Sequence, residues 1–384
     1  MSASVNQDIA QYFGDANSTV VTAEQDLKEI NIAPANLNFS YLFFSDVRKN
    51  IPDQEKYVFA RQLVEFADQA DFEAVYFPER HFGEFGSIYA NNGLIAAYFA
   101  PLTKNIRLRT AAITATLHHP VEIVENWAMV DILSNGRVDL GFGNGWNKMD
   151  FVLSPDTYED RSALRDERIP MIQKLWRGDT LEFPGPGGEQ FPITVYPRPL
   201  QKELNVWYVT MSEFGFIHAG KSGYNVFTML YGIDLNELGK KIKAYRDARE
   251  QAGLDPNKGT VTLMMHTFVH PDLEWVHHVV AEPFKGYIRS SLIPHMKAKG
   301  KAVSEEEINK MVEYSYSRYF QTGGIFGSFE SCQKQIKHAS DVGVNEIAFL
   351  QDFGIDYSAV IDSLDYLKIL VDANISARRV EHAK

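Results

Sequence analysis

From Asn38 onward the chain alternates short runs of β-branched and aromatic residues with longer amphipathic stretches, eight times over. Strands laid parallel need a crossover between them, and that crossover is usually a helix. Eight such units restrict the fold to a closed (β/α)8 barrel or an open doubly wound sheet. The strand-like runs cover 39–44, 74–77, 106–114, 138–142, 206–210, 225–230, 261–269 and 346–351. No Gly-x-Gly-x-x-Gly turn follows an early strand, as a dinucleotide-binding sheet would require. The expected fold is therefore an α/β protein of the (β/α)8 TIM-barrel class.

The intervening segments read as helices. In 54–70, Phe59, Leu63, Phe66, Ala67 and Ala70 fall on one face. Pro120 opens another helix, and Ser134-Asn135-Gly136 closes it, with Gly136 suited to a left-handed cap. Residues 1–36 are polar and weakly periodic, an N-terminal extension with one short helix. The barrel is expected over 37–373 and a tail over 374–384. Two segments depart from the repeat. Residues 181–200 hold five prolines and three glycines and read as an excursion with a hairpin. Residues 283–325 form a long insertion before the last helix and strand, placed to act as a lid or partner surface.

Composition narrows the partners. A net charge of −12 argues against nucleic acid, whose phosphates call for a basic face. No apolar run reaches the roughly 18 residues that would span a bilayer, and the N-terminus lacks the pattern of a secretory signal. The single cysteine, Cys332, falls in an amphipathic stretch and reads as a buried structural thiol. A cytoplasmic protein is expected.

Chemistry-bearing residues gather where strands end, which in a barrel is the active face. Pro78-Glu79-Arg80-His81-Phe82-Gly83-Glu84-Phe85-Gly86 follows the second strand. A histidine there either packs or moves a proton near neutral pH, tuned by its neighbours Glu79 and Arg80. Gly141-Phe142-Gly143-Asn144-Gly145-Trp146 ends the fourth strand. Its glycines either make a tight corner or let backbone approach a flat ligand. Thr210, Met211 and Ser212 end the fifth strand before a helix start, which serves as an anion site or as simple capping by Ser212. His118-His119-Pro120 with Glu122 lacks the spacing of a metal site. No Gly-x-Ser-x-Gly elbow marks a serine hydrolase.

These stretches, with Pro197-Arg198-Pro199-Leu200-Gln201 and the tail 344–354, resemble the bacterial luciferase-like flavin monooxygenases over roughly 37–371. The likeness is greatest to the branch associated with nonribosomal peptide and polyketide biosynthesis. It implies a dimeric (β/α)8 barrel that binds reduced FMN and O2, forms a flavin 4a-(hydro)peroxide and oxygenates a small or carrier-protein-bound substrate. A separate flavin reductase is implied as partner. By the same resemblance, Ala111 and Ala112 match a cis peptide under the flavin ring. Ser212, with the backbone of Met211 and Gly215, matches the phosphate site, and Arg161 matches a phosphate-binding arginine.

Two departures stand out. Asn144 replaces an arginine, and Arg80 replaces the first histidine of a Glu-His-His-Phe turn, leaving His81 to match the second. Long-chain aldehyde bioluminescence is therefore not carried over. His81 is expected to handle protons and Arg80 to stabilise negative charge. The basic run His295, Lys297, Lys299 and Lys301 is either a solvated loop or a docking edge for an acidic carrier. The alternatives are a deazaflavin-dependent dehydrogenase or reductase of the same fold, and a flavin-binding protein without turnover.

Overall fold

The computed structural model describes residues 32–44, 47–83, 87–298 and 304–375. Eight parallel strands close on themselves: β1 (Asn38–Leu42), β2 (Ala74–Phe77), β3 (Arg107–Thr110), β5 (Val138–Gly143), β8 (Val206–Val209), β9 (Asn225–Met229), β10 (Val261–Val269) and β12 (Glu346–Leu350). β1 pairs with both β2 and β12, and β9 pairs with β10, so the ring has no free edge. Among the described residues this is the expected (β/α)8 barrel.

Helices alternate with the strands: α1 (Asp53–Gln69), α2 (Asn92–Phe99), α3 (Pro120–Leu133), α4 (Arg161–Arg177), α5 (Glu213–Ser222), α6 (Leu235–Gln251), α7 (Leu273–Ala298), α8 (Glu305–Arg318), α9 (Phe329–Asp341), α10 (Tyr357–Asp362) and α11 (Leu364–Asp372). Their apolar faces explain their docking. In α1, Phe59, Ala60, Leu63, Val64 and Ala67 are buried at helical spacing. After α3, Gly136 takes φ +78°, a left-handed turn that a side chain would resist.

Two expectations need correction. The run 106–114 is not one strand: it breaks into β3 and the short β4 (Ile113–Thr114) around a cis Ala111–Ala112 peptide. β-branched sequence shows strand propensity but not an interruption of the ladder. The insertion does not begin at Pro283, which lies inside α7; that helix starts at Leu273. The polypeptide then passes through α8 and a π turn, Tyr319–Gly323, to β11 (Ile325–Gly327), an extra strand beside the end of β10. The excursion at 181–200 does contain a hairpin, β6 (Leu181–Pro184) with β7 (Gln190–Ile193).

The lower barrel is polar. Arg109, 5% exposed, bonds through Nε to Asp139 (2.7 Å) and through Nη1 to Glu346 (2.9 Å) and the Tyr76 hydroxyl (3.0 Å). Its guanidinium lies 4.1 Å from the Trp207 ring centre. Burial by itself would raise the Asp139 carboxyl; Arg109 and Arg107 outweigh it and hold the group below its usual range. Buried charges survive there because each finds a partner. Cys332 is buried on α9, and burial pushes its thiol up to about 12, as suits a structural residue. Leu37 bridges to Ile375, and Asn374 is buried beside Gln333. Residues 1–31 and 376–384 lie outside the described residues.

Candidate active site

The second strand ends at Phe77, and the turn that follows carries Glu79 into the barrel mouth. The Glu79 side chain is only 2% exposed. Its Oε1 meets His81 Nε2 at 2.9 Å and His118 Nε2 at 2.6 Å, and its Oε2 accepts the Thr114 N–H at 2.8 Å. One buried carboxylate therefore joins two histidines and the end of β4. Burial pushes the Glu79 carboxyl up, but the bonds from His118, His81 and Thr114 outweigh it and hold it below its ordinary range. Burial also disfavours charge on His118; there the Glu79 bond prevails and raises its pKa.

His118 is the residue that sequence reasoning missed. Its adjacency to His119 invited a metal reading, and no metal-holding group of His, Cys, Asp or Glu occurs among the described residues. The two histidines do different work. His119 caps α3, its Nδ1 accepting the Val121 N–H at 3.3 Å. The usable signal was position: His118 stands just before a helix that follows strand three, on the barrel's active face.

Arg80 lies beside this cluster. Its guanidinium carbon is 4.7 Å from the Phe44 ring centre and 5.5 Å from that of Trp146. Burial lowers its pKa, while Tyr287 and Asp150 act to raise it. Burial raises the Asp150 carboxyl, opposed by His81 and Arg80. Two neighbouring aromatics and a carboxylate thus surround the cation at the mouth. The aromatic residues Tyr89 and Phe353 are buried, and Phe85 lies outside the described residues.

The glycines have separate reasons. A Cβ on Gly141 would fall 2.1 Å from the Thr110 carbonyl oxygen, so this glycine serves the close approach of β3 and β5. Gly143 borders Ala112, whose Cβ would lie 3.1 Å from an added one. The expected ligand approach thus applies at Gly143 at most, and Gly141 is a packing requirement.

The remaining expected residues sit around the starts of α4 and α5. These helices follow β5 and β8, which pair directly, and Asn144 after β5 reaches Ser162 in the first turn of α4. Ser212 caps α5, its Oγ accepting the Gly215 N–H at 3.1 Å. A Cβ on Gly215 would strike Thr210 Oγ1 at 2.1 Å. Lys241, not anticipated from sequence, reaches from α6 to the Met211 carbonyl at 2.7 Å. Asn144 Nδ2 donates to Ser162 Oγ at 2.9 Å. Arg161 donates through Nη1 to the Tyr158 carbonyl at 2.6 Å, and its buried Nε has no partner among the described residues.

Residues 37–346 match the luciferase-like monooxygenase family, which is most of the chain. The chain belongs to this family. It is accordingly an oxidoreductase, and its relatives include flavin-dependent monooxygenases. The chain is 27% identical over 317 residues to the oxygenase component of a flavin-dependent trigonelline monooxygenase from Acinetobacter baylyi, covering 79% of this chain and 86% of that one. It is 25% identical over 259 residues to an F420-dependent glucose-6-phosphate dehydrogenase from Amycolatopsis mediterranei, covering 65% and 74%. Among solved structures, the fold matches the oxygenating constituent of 3,6-diketocamphane monooxygenase from Pseudomonas putida, in complex with FMN. That match has a TM-score of 0.70 at 15% identity and covers 88% of this chain and 99% of that one. No helix among the described residues is long and apolar enough to cross a membrane.

Proposed function

We propose that this enzyme binds reduced FMN and uses O2 to oxygenate a small organic substrate. The observation that carries the reading is the Glu79–His81–His118 cluster beside Arg80, in a mouth walled by Ala111–Ala112 and Gly143. Reduced flavin supplies the oxygen chemistry; the protein supplies binding, orientation and proton control. The phosphate end fits the starts of α4 and α5: Ser212, Met211, Gly215 and Asn144 line it, and Arg161 brings an unpartnered N–H. Lys241 adds positive charge there. Ala111 and Ala112 present backbone and methyl groups to the ring. His81, oriented by Glu79, moves the proton, and Arg80 steadies developing negative charge.

The relative described as an oxygenase component supports a separate flavin reductase as partner. Exposed Leu94 and Tyr98 of α2, with Met129 and Leu133 of the packed α3, support a homodimer through that face. A natural-product or carrier-bound substrate rests on the sequence resemblance; Lys299 and Lys301 of the basic run lie outside the described residues. A second reading, hydride transfer with a deazaflavin, is favoured by the F420-dependent relative.

The deciding experiment mixes the protein and photoreduced FMN with oxygenated buffer in a stopped-flow spectrometer. The oxygenase reading expects the protein to slow or divert the return to oxidised FMN. A return at the rate seen in buffer alone, together with binding of F420, would transfer the assignment to the deazaflavin reading. Binding of either cofactor without turnover would leave a flavin-binding protein.

A further inference from the structure

His266 lies on β10, where Thr262 marks the inward face by meeting the Tyr76 hydroxyl (3.2 Å) and the Trp207 indole N–H (3.1 Å). The two-residue period of a strand puts His266 on that same face, nearer the mouth. In the closed ring, β10 stands four places from β3, so His266 occupies the wall opposite Ala111–Ala112. It is 4% exposed, and neither ring nitrogen has a partner among the described residues.

Four aromatic rings surround it. Phe284 and Tyr287 come from α7, Tyr319 from the π turn and Phe353 from beyond β12, with centroids 4.8, 5.0, 5.3 and 5.7 Å from the imidazole. Tyr287 also interacts electrostatically with Arg80, which ties this group to the catalytic cluster. Turns of the π type concentrate at functional sites, and this one sets Tyr319.

An imidazole is a costly choice for such a place. Burying a polar atom without a partner is unfavourable, and phenylalanine would make similar ring contacts without that penalty. Burial pushes the imidazole pKa down to about 3, so the ring is neutral at physiological pH and offers one donor and one acceptor.

We propose that His266 and its four rings form the substrate-recognition end of the site, selecting a planar aromatic molecule whose edge carries a hydroxyl or carbonyl. The rings select flatness, and the imidazole selects an edge that completes its hydrogen bonding. An aliphatic chain would leave both nitrogens unpaired. The inference rests on the oxygenase reading for which molecule is turned over, but the binding site itself is tested without turnover.

Two probes of similar size, 2-naphthol and 2-methylnaphthalene, differ in the edge group alone. In equilibrium dialysis the intact protein is expected to prefer 2-naphthol by about tenfold, the worth of one net hydrogen bond. His266→Phe should abolish the preference while keeping affinity for 2-methylnaphthalene, and His266→Gln should restore part of it. In protein labelled with 15N-histidine, 2-naphthol should shift the His266 ring resonances. Equal binding of the two probes, tighter binding of 1-decanol, or unmoved His266 resonances would overturn the proposal. Binding of reduced FMN is measured on the same samples. Failure of the wild type to bind it would count against the oxygenase reading, whereas normal flavin binding without probe discrimination would count against the His266 site alone.

Discussion

Replacing Glu79 by glutamine removes the charge from a carboxylate that holds two histidines and a backbone N–H at once. The amide oxygen can still accept from Thr114, but an NH2 then replaces the oxygen that met both imidazoles. At least one charge-assisted hydrogen bond is lost, worth about 1.5–3 kcal/mol. With 384 residues the unfolding entropy is about 0.8 kcal/mol/K, so Tm should fall by roughly 2–4 °C. The effect has a pH window. Glu79 has a depressed folded pKa, so its contribution is full above its ordinary 4.5 and fades as pH falls through the folded value. His118 has a raised folded pKa, so its contribution is full below its ordinary 6.5 and fades as pH rises through the folded value. The gap between wild type and Glu79→Gln should therefore be widest between 4.5 and 6.5 and narrow on both sides. Calorimetry across that range, with NMR titration of His118, reads both effects. The His118 pKa should drop in the variant. A Tm gap that ignores pH, or a His118 titration that does not move, would refute the shared-carboxylate account.

Four other outcomes follow from the geometry. His81→Ala should lower oxygenation turnover by about 10²–10⁴ while reduced FMN still binds; full turnover with normal binding would remove its role in proton transfer. Arg161→Ala should weaken FMN by roughly tenfold or more and leave riboflavin, which lacks the phosphate, unchanged; equal losses for both would place Arg161 away from the phosphate. Gly141→Ala forces a methyl onto the Thr110 carbonyl oxygen and should cost about 1–3 kcal/mol or more. Gly286→Ala, in α7 with open space around it, should instead stabilise by about 0.5–1 kcal/mol, and calorimetry on the pair checks both.

Local pattern was enough for the repeating units. Strand runs, the apolar face of α1, the Gly136 cap and the hairpin between Leu181 and Ile193 all follow from neighbours within a few residues of one another. It failed where the deciding contact was distant or where propensity was misleading. Pro283 looked like a boundary and lies within α7. The run before Thr114 looked like one strand and is broken at Ala111–Ala112. His118 is passed over because its spacing does not suit a metal and its carboxylate partner is 39 residues away.

The order of residues alone determined that this chain would alternate strand and helix eight times, and its motifs determined the family. Periodicity is written in adjacent side chains, so it can be read without coordinates. Closure of the ring decided the rest. Only when β9 meets β10 and β1 meets β12 do residues from separate units face one another across the barrel. Pairing of neighbouring strands is how Glu79 comes to hold His118 and how Arg109 finds Asp139, whereas the closed ring brings Glu346 to Arg109 and sets His266 among four rings from three different segments. Burial then sets their chemistry, because a charge or an unpaired nitrogen removed from water takes its properties from whichever groups the fold has brought beside it.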